Sequence, residues 1–306
     1  MPKVSICIPT YLQVEFLRLT LNSVIEQDFE DYEVIISDDS PDDSVKNLVQ
    51  TYNFKNRLRY FKNDSPLGSP ENWNKAVDLA IGEYVKILHH DDFFTYRNSL
   101  SKFVEMLDMA KDTDFGFSAT LVDSISLKKK WVHCASTEQL QELKKCPEVL
   151  FFGNIVGPPS STIYRNTKIF SYDKRLKWIV DLDFYIECLL KNRSFGFSKS
   201  PLITSISGAS HNVTKECENN MDVEIFEYLT LYYKIKDKTV IPKARFASFF
   251  ENLFKKYDVN SLQKIRDAEF KKPLPLFLYS ILHNRKLKKN YRILKRVLYF
   301  FKQIIF

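Results

Sequence analysis

The stretch Gly82-Glu-Tyr-Val-Lys-Ile-Leu-His-His-Asp-Asp92 decides the fold. Glu83–Leu88 is a short, mainly apolar run and reads as a buried strand. It stops at His89-His90-Asp91-Asp92, so the strand ends in polar and acidic groups. Working outward, earlier runs have the same form. Val4–Ile8 ends at Pro9-Thr10-Tyr11, and Tyr32–Ser37 ends at Asp38-Asp39-Ser40-Pro41. Leu58–Lys62 precedes the turn Pro66-Leu67-Gly68. Between these runs, Phe16, Leu17, Leu21, Val24 and Ile25 recur at helical spacing within Phe16–Glu26, and Ser44–Tyr52 reads as a short helix. Pro70–Ile81 reads as a helix with Ser69 as cap and Pro70 in the first turn. Strand–helix alternation predicts a parallel sheet with right-handed crossovers. Ligands of such sheets bind beyond the carboxyl ends of the strands, where these polar groups converge.

Beyond this region the pattern is less regular. Asp114–Asp123, Trp131–Cys134, Ser160–Tyr164 and Pro201–Ile206 read as strands. Thr137–Lys145, Glu148–Phe152 and Leu182–Leu190 read as helices, and Gly157-Pro158-Pro159 as a rigid turn. After Ser210-His211-Asn212 the pattern is helical, with Met221–Ile235 and Lys243–Tyr257 as long candidates. There is no internal repeat and no low-complexity segment.

The chain has 306 residues, of which 44% are hydrophobic and 27% charged, which is a globular composition large enough for a core without metal or disulfide staples. The net charge of +7 is unevenly spread. From Phe270 to Phe306 there are ten Lys/Arg and no Asp/Glu, which leaves 35 basic and 38 acidic residues in 1–269. The body is therefore mildly acidic, which argues against nucleic acid as a partner. The five cysteines are odd in number and form no CxxC pair, as expected of small apolar fillers in a reducing compartment. The first apolar run is too short for a signal peptide, and no stretch approaches the roughly 18 apolar residues of a spanning helix. These features predict a cytoplasmic protein.

The strand ends carry no Gly-rich phosphate loop of the P-loop or GxGxxG type. They carry acidic pairs instead, which would repel a phosphate ligand unless a divalent cation lay between them. Asp91-Asp92 thus reads as a Mg²⁺ or Mn²⁺ bridge to a diphosphate, with a solvated acidic turn or a helix cap as the plainer alternative.

The segments Val4–Tyr11, Leu21-Asn-Ser-Val-Ile-Glu-Gln27, Tyr32–Ser40, Gly68-Ser-Pro-Glu-Asn-Trp-Asn74 and Gly82–Asp92 together resemble the inverting family-2 glycosyltransferases in order and spacing. The resemblance is specific over about 1–95, moderate over about 150–212 and absent beyond. It implies a GT-A fold: an α/β, Rossmann-like, mostly parallel sheet flanked by helices. Residues 1–212 would be the catalytic domain, with 1–95 its nucleotide-binding half and 96–212 its acceptor half. Residues 213–306 would be a helical extension.

The resemblance also implies roles. Pro9, Thr10 and Tyr11 would line the nucleoside pocket, with Tyr11 stacked on the base. Asp39 would accept the uracil imide N–H, and Asp38 would support the turn. Asp91 would face the ribose side, and Asp92 would ligate the cation. His90-Asp91-Asp92 stands where many relatives read Asp-x-Asp. His90 would touch the donor, and His89 would pack beside the strand. Asn72, Asn74 and Lys75 would face the same rim from one helix, with Trp73 and Val77 in the core. In Trp178-Ile-Val-Asp-Leu-Asp-Phe184, Asp181 would be the general base that inversion requires, with Asp183 the alternative and helix capping the non-catalytic reading. His211 would lie near the diphosphate or metal, or be an ordinary loop histidine.

The implied activity is transfer of a sugar from a nucleoside diphosphate-sugar, a UDP-sugar or a dTDP-sugar, to a glycan or lipid-linked acceptor. A nucleotidyltransferase would need a glycine-rich basic loop where Pro9-Thr10-Tyr11-Leu12-Gln13 stands. A non-catalytic, membrane-docked nucleotide-sugar-binding module is the rival of another class. Finally, Leu287, Tyr291, Leu294, Leu298, Phe301 and Ile305 form one apolar stripe flanked by lysine and arginine. Residues 285–306 thus read as a basic amphipathic helix for the membrane surface, with docking on protein as the alternative.

Overall fold

The computed structural model describes residues 1–110, 112–208 and 217–287. The chain divides into two compact units, Met1–Glu216 and Cys217–Phe306. The first contains a nine-stranded sheet in the order β3-β2-β1-β4-β8-β6-β9-β5, with β7 paired to β6 off this path.

One end of the sheet is parallel and follows the sequence pattern closely. Strands β1 (Val4–Thr10), β2 (Tyr32–Asp38), β3 (Leu58–Lys62) and β4 (Tyr84–Ile87) run parallel in the order β3-β2-β1-β4. Every residue of β1 and β2 is buried, as expected where helices cover both faces of a parallel sheet. Helix α1 (Val14–Ile25) buries Leu17, Thr20, Leu21 and Val24, one stripe at helical spacing. Helices α2 (Ser44–Gln50) and α3 (Glu71–Asp78) complete the crossovers. Gly82 is needed where the chain re-enters the sheet. A Cβ there would lie 2.7 Å from Ser5 N, and the Gly82 N–H donates to Ser5 Oγ at 2.8 Å.

The other end is mixed. Between Asp92 and Asp114, where no element was expected, the structure has β5 (Asp92–Phe94) and α4 (Ser99–Asp108). A strand of 3 residues is too short to show a period, but α4 buries Leu100, Phe103, Val104 and Leu107 on one face. Strands β6 (Phe115–Ser124) and β7 (Lys129–His133) form a hairpin. Helix α5 (Thr137–Lys145) has a Ser136–Gln139 capping box, and 3₁₀ turns span Pro147–Phe152 and Pro159–Ser161. Strand β8 (Thr162–Arg165) therefore starts later than expected, because the prolines set a turn first. Helix α6 (Val180–Lys191) and strand β9 (Gly196–Ser207) follow. Strand β8 is antiparallel to both β4 and β6, β9 is parallel to β6, and β5 is antiparallel to β9.

This topology positions the site. The chain leaves the parallel end at β4, turns at His89–Asp92, and pairs Asp92 with Ser205 of β9. The acidic cluster thus sits where the two kinds of sheet meet.

Two local expectations are corrected. Pro70, not Ser69, is the N-cap of α3, and no side chain caps that helix. Helix α6 starts at Val180 rather than Leu182, so Asp181 lies with Asp183 in its first turn.

The second unit contains α7 (Met221–Ile235), α8 (Lys243–Lys256), α9 (Leu262–Asp267) and a helix over 276–287. Asn220 and Ser261 cap α7 and α9 through their side chains. Tyr232, Phe246 and Phe250 form an aromatic core, and Glu224 pairs with Lys256 at 2.7 Å. Among the described residues, no helix is long and apolar enough to cross a membrane.

Candidate active site

The strand ends open onto a cleft of about 610 Å³. Its lining includes Pro9, Thr10, Tyr11, Asp39 and Asn72 on one side and Pro158, Pro159, Trp178 and Asp181 on another. His89, His90, Asp91, Asp92 and Ser205 also line it.

The rim at the ends of the parallel strands is fixed by hydrogen bonds. After β1, Leu12 and Gln13 both adopt left-handed backbone (φ 53°), a conformation costly for residues with a Cβ. The Leu12 N–H donates to Ser40 Oγ at 2.7 Å, which helps hold that turn. Tyr11 is left 49% exposed at the cleft. Asp38 is fully buried. It accepts from Ser40 N at 2.8 Å, Tyr60 Oη at 2.6 Å and Lys62 Nζ at 3.3 Å, and it does not line the cleft. Asp39 does. One oxygen accepts from Asn63 Nδ2 at 2.7 Å and the other from the Gly68 N–H at 2.8 Å. A carboxylate has further lone pairs, so it can still accept from a ligand. Asn72 donates to Ser37 O at 3.0 Å and Thr10 O at 3.3 Å, tying α3 to the ends of β1 and β2. Asn74 accepts from Tyr172 N and donates to Tyr172 O, both at 2.8 Å, which brings in a segment 98 residues away. Lys75 is exposed and is not part of the cleft lining.

Trp73 and His89 depart from expectation. Both line the cleft, with ring centroids 4.4 Å apart. Tyr172 meets the Trp73 ring edge-on at 5.2 Å, so Trp73 is a half-buried aromatic wall rather than core. Val77 is buried as expected.

The acidic turn is held from behind. Thr20 Oγ1 lies 2.9 Å from His90 O and 2.8 Å from Asp92 O. Asp92 N donates to His89 O at 3.0 Å. Burial and the neighbouring Asp91 carboxylate push the Asp92 carboxyl well above its usual range, opposed by the Ser160 and Ser205 hydroxyls and by Lys86. Lys86 is fully buried in β4. It donates to Ile87 O at 3.1 Å and to Ser160 O, and lies 4.6 Å from the centre of the Phe103 ring. Burial pushes its ammonium down to about 7.

These residues fit a divalent cation. Ligand atoms of His89, Asp91 and Asp92 all lie within 4.8 Å of one another. Burial pushes the His89 imidazole down to about 4, so it is neutral at pH 7, and its buried Nε2 has no hydrogen-bond partner among the described residues. Carboxylates held unfavourably close become favourable ligands once a cation shares them.

On the far wall, Asp181 accepts from the Leu182 N–H through one oxygen and from Asn154 Nδ2 through the other, each at 2.8 Å. Asn154 is itself fixed, because its Oδ1 accepts from Val156 N at 3.0 Å and Gly157 N at 2.9 Å. Asp183 is 1% exposed and does not line the cleft. His211 lies outside the described residues.

Sequence reasoning did not single out Asn154, Ser160, Ser205 or Lys86. Only Lys86 gave a signal, as one lysine inside an apolar strand. The others act through contacts between segments distant in the chain.

The sequence model of glycosyl transferase family 2 matches residues 5–169. The chain is 38% identical over 94 residues to GalNAc(5)-diNAcBac-PP-undecaprenol beta-1,3-glucosyltransferase of Campylobacter jejuni, an alignment covering 30% of each chain. It therefore spans under a third of that relative. It is 24% identical over 294 residues to the putative colanic acid biosynthesis glycosyl transferase WcaA of Escherichia coli K12, covering 95% of this chain and 98% of that one. Among solved structures it is similar to residues 1–349 of TarS from S. aureus in complex with UDP-GlcNAc. The TM-score is 0.61 at 19% identity, over 92% of this chain and 79% of that one. It is also similar to the mannosyltransferase PcManGT from Pyrobaculum calidifontis in complex with GDP-Man and Mn²⁺. There the TM-score is 0.58 at 13% identity, over 95% of this chain and 82% of that one. At these identities the structural likeness speaks to fold. With residues 5–169 matched, more than half its length, and this sheet at its centre, the chain belongs to glycosyl transferase family 2 and has its GT-A fold.

Proposed function

We propose that the protein transfers a sugar, with inversion, from a UDP-sugar to a hydroxyl of a surface-polysaccharide or lipid-linked glycan. The observation that carries this reading is the convergence of Asp39, the Asp91–Asp92 pair and Asp181 on one cleft. A base-binding carboxylate, a cation-binding pair and a proton acceptor are what such a reaction needs.

Tyr11 offers an exposed ring for the base, and Asp39 accepts an imide N–H. Asp39 is already aimed by Asn63 and Gly68, so little side-chain freedom is lost on binding. Thymine presents the same imide, so a dTDP-sugar is the alternative donor. Asp91 and Asp92 hold the divalent cation, Mn²⁺ or Mg²⁺. When bound, the cation neutralises charge on the departing diphosphate. Asp181 accepts the proton of the acceptor hydroxyl as that oxygen attacks the anomeric carbon. Asn154 holds its carboxylate in place through that step. Trp73 and Trp178 supply flat faces that exclude water from the sugar.

The Campylobacter relative acts on a polyprenol-linked glycan, as its name states, and this favours a membrane-borne acceptor. The basic amphipathic stretch 285–306, of which residues beyond 287 lie outside the described part, would hold the enzyme on the cytoplasmic membrane face. The free cysteines agree with a reducing compartment.

A screen of nucleotide-sugars, reading released nucleoside diphosphate with Mn²⁺ and with EDTA, tests the reading. Release from a UDP- or dTDP-sugar in Mn²⁺ alone is expected. Binding of nucleotide-sugar with no turnover of any donor would favour the non-catalytic module.

A further inference from the structure

The β6–β7 hairpin ends in a surface that the cleft does not use. Every residue from 125 to 132 is exposed. Leu127 is 69% exposed, Ile125 and Val132 are each 51% and Trp131 is 39%. Lys128, Lys129 and Lys130 stand between Leu127 and Trp131 in the same eight residues. Lys130 pairs with Asp123 at 2.7 Å, while Lys128 and Lys129 have no ion pair among the described residues. Water alone does not account for such a tip, since apolar side chains gathered at one place mark a contact surface.

The hairpin is a fixed projection. The Ile125 N–H donates to Ser207 O at 3.0 Å. Gly208 (φ +77°) lets Ser126 close against β9, since a Cβ there would lie 2.3 Å from Ser126 Oγ. The base of the hairpin abuts the cleft. Val122 is in register with Ser205, which lines the cleft, and Trp131 is in register with Val122. Thr120 and His133 flank Gly157, next to the cleft residues Pro158 and Pro159.

We propose that the tip of this hairpin is a membrane-docking finger, which seats on an anionic phospholipid surface and brings the far side of the cleft to the bilayer. The chemistry matches that partner. Leucine, isoleucine and valine enter the acyl boundary, tryptophan prefers the interface, and lysines meet anionic headgroups. The lysines are locally concentrated on a body, residues 1–269, whose net charge is −3. A second copy of the chain fits less well, because two such tips would oppose their lysines. The inference does not depend on which reaction the cleft performs. It adds an attachment point separate from 285–306, in keeping with stable anchoring taking more than one signal.

The test uses the full chain and co-sedimentation with vesicles of phosphatidylglycerol and phosphatidylcholine, against phosphatidylcholine alone. Any contribution of 285–306 is common to all variants, so differences read the hairpin. Lys128→Ala with Lys129→Ala should lower partition to the anionic vesicles roughly 30-fold, at about 1 kcal/mol per lysine, and leave the neutral vesicles unaffected. Leu127→Ser with Trp131→Ser should lower partition to both. Fluorescence quenching by brominated lipid in the unaltered chain should be strong and should vanish in Trp131→Phe, a reading that needs no destabilising change. Unchanged partition in both double variants, or quenching that persists in Trp131→Phe, would overturn the proposal. So would dimerisation of the unaltered chain that the double variants abolish, which would assign the surface to a second copy.

Discussion

The two sides of the cleft are built differently. On the parallel-strand side, side chains are bonded to the ends of neighbouring strands. Asn72 spans β1 and β2, and Asp38 draws in Ser40, Tyr60 and Lys62. On the opposite side, Asp181 rests on the first turn of its own helix and on the Asn154 side chain. The sheet prebuilds the first side, whereas a loop aims the second. Each side also holds a pair of aspartates with divided roles. Asp39 and Asp181 line the cleft, while Asp38 and Asp183 are buried away from it. Exposure to the cleft, not residue type, separates a candidate reacting group from a scaffold group.

The sharpest way to break this contrast is to compare Asp181→Asn with Asp183→Asn. The first should lower kcat by roughly 10³-fold with nucleotide affinity retained, since it removes a proton acceptor used only in the transition state. The second should act mainly on stability. Steady-state kinetics and thermal melting of both variants decide between them, and reversed outcomes would exchange the roles. On the parallel-strand side, Asp38→Ala should destabilise by about 3 kcal/mol, because it strands buried donors and the Lys62 ammonium. Urea titration reads this, and a loss under 1 kcal/mol would mean that the turn is held without Asp38.

Asn154→Ala sharpens the contrast further. It should lower kcat roughly tenfold, about 1.4 kcal/mol, with UDP affinity unchanged, because Asn154 holds Asp181 but does not itself line the cleft. An equal fall in UDP affinity would show that the two sides are coupled.

The smallest expected effect concerns Glu33, deep in the parallel part of the sheet. Burial alone would raise its carboxyl, but hydrogen bonds from Ser5, the Ile81 N–H and Arg59 outweigh it, and the pKa is lowered on folding. A lowered folded pKa means that the stabilisation is present above the unfolded value, near 4.3, and is lost as pH falls through the folded one. Glu33→Gln should therefore flatten the acid limb of the stability curve, with a small loss of stability near neutrality, where the contribution is fully present, and little change at low pH. A steeper acid limb in the variant would contradict this sign.

The same contrast explains what the sequence could reveal. Strands β1, β2 and β4 are continuous buried runs ending in polar clusters, so both fold and rim are legible in order. Their boundaries shift by a residue or so, as helix and strand ends do. The far wall depends on pairings the local pattern does not encode. Strand β5 has only 3 residues, and Asn154 meets Asp181 across 27 positions of chain. Trp73 shows the converse error. Its apolar character suits a core, but α3 turns it onto the cleft against His89.

The central claim is that the cleft binds a nucleoside diphosphate through a divalent cation held at Asp91 and Asp92. Calorimetric titration of UDP into the protein, in Mn²⁺ and in EDTA, tests it most directly. The account predicts clear binding in Mn²⁺, loss of most of that affinity in EDTA, and no response to Mn²⁺ in Asp92→Asn. Equal UDP affinity with and without the cation would contradict it.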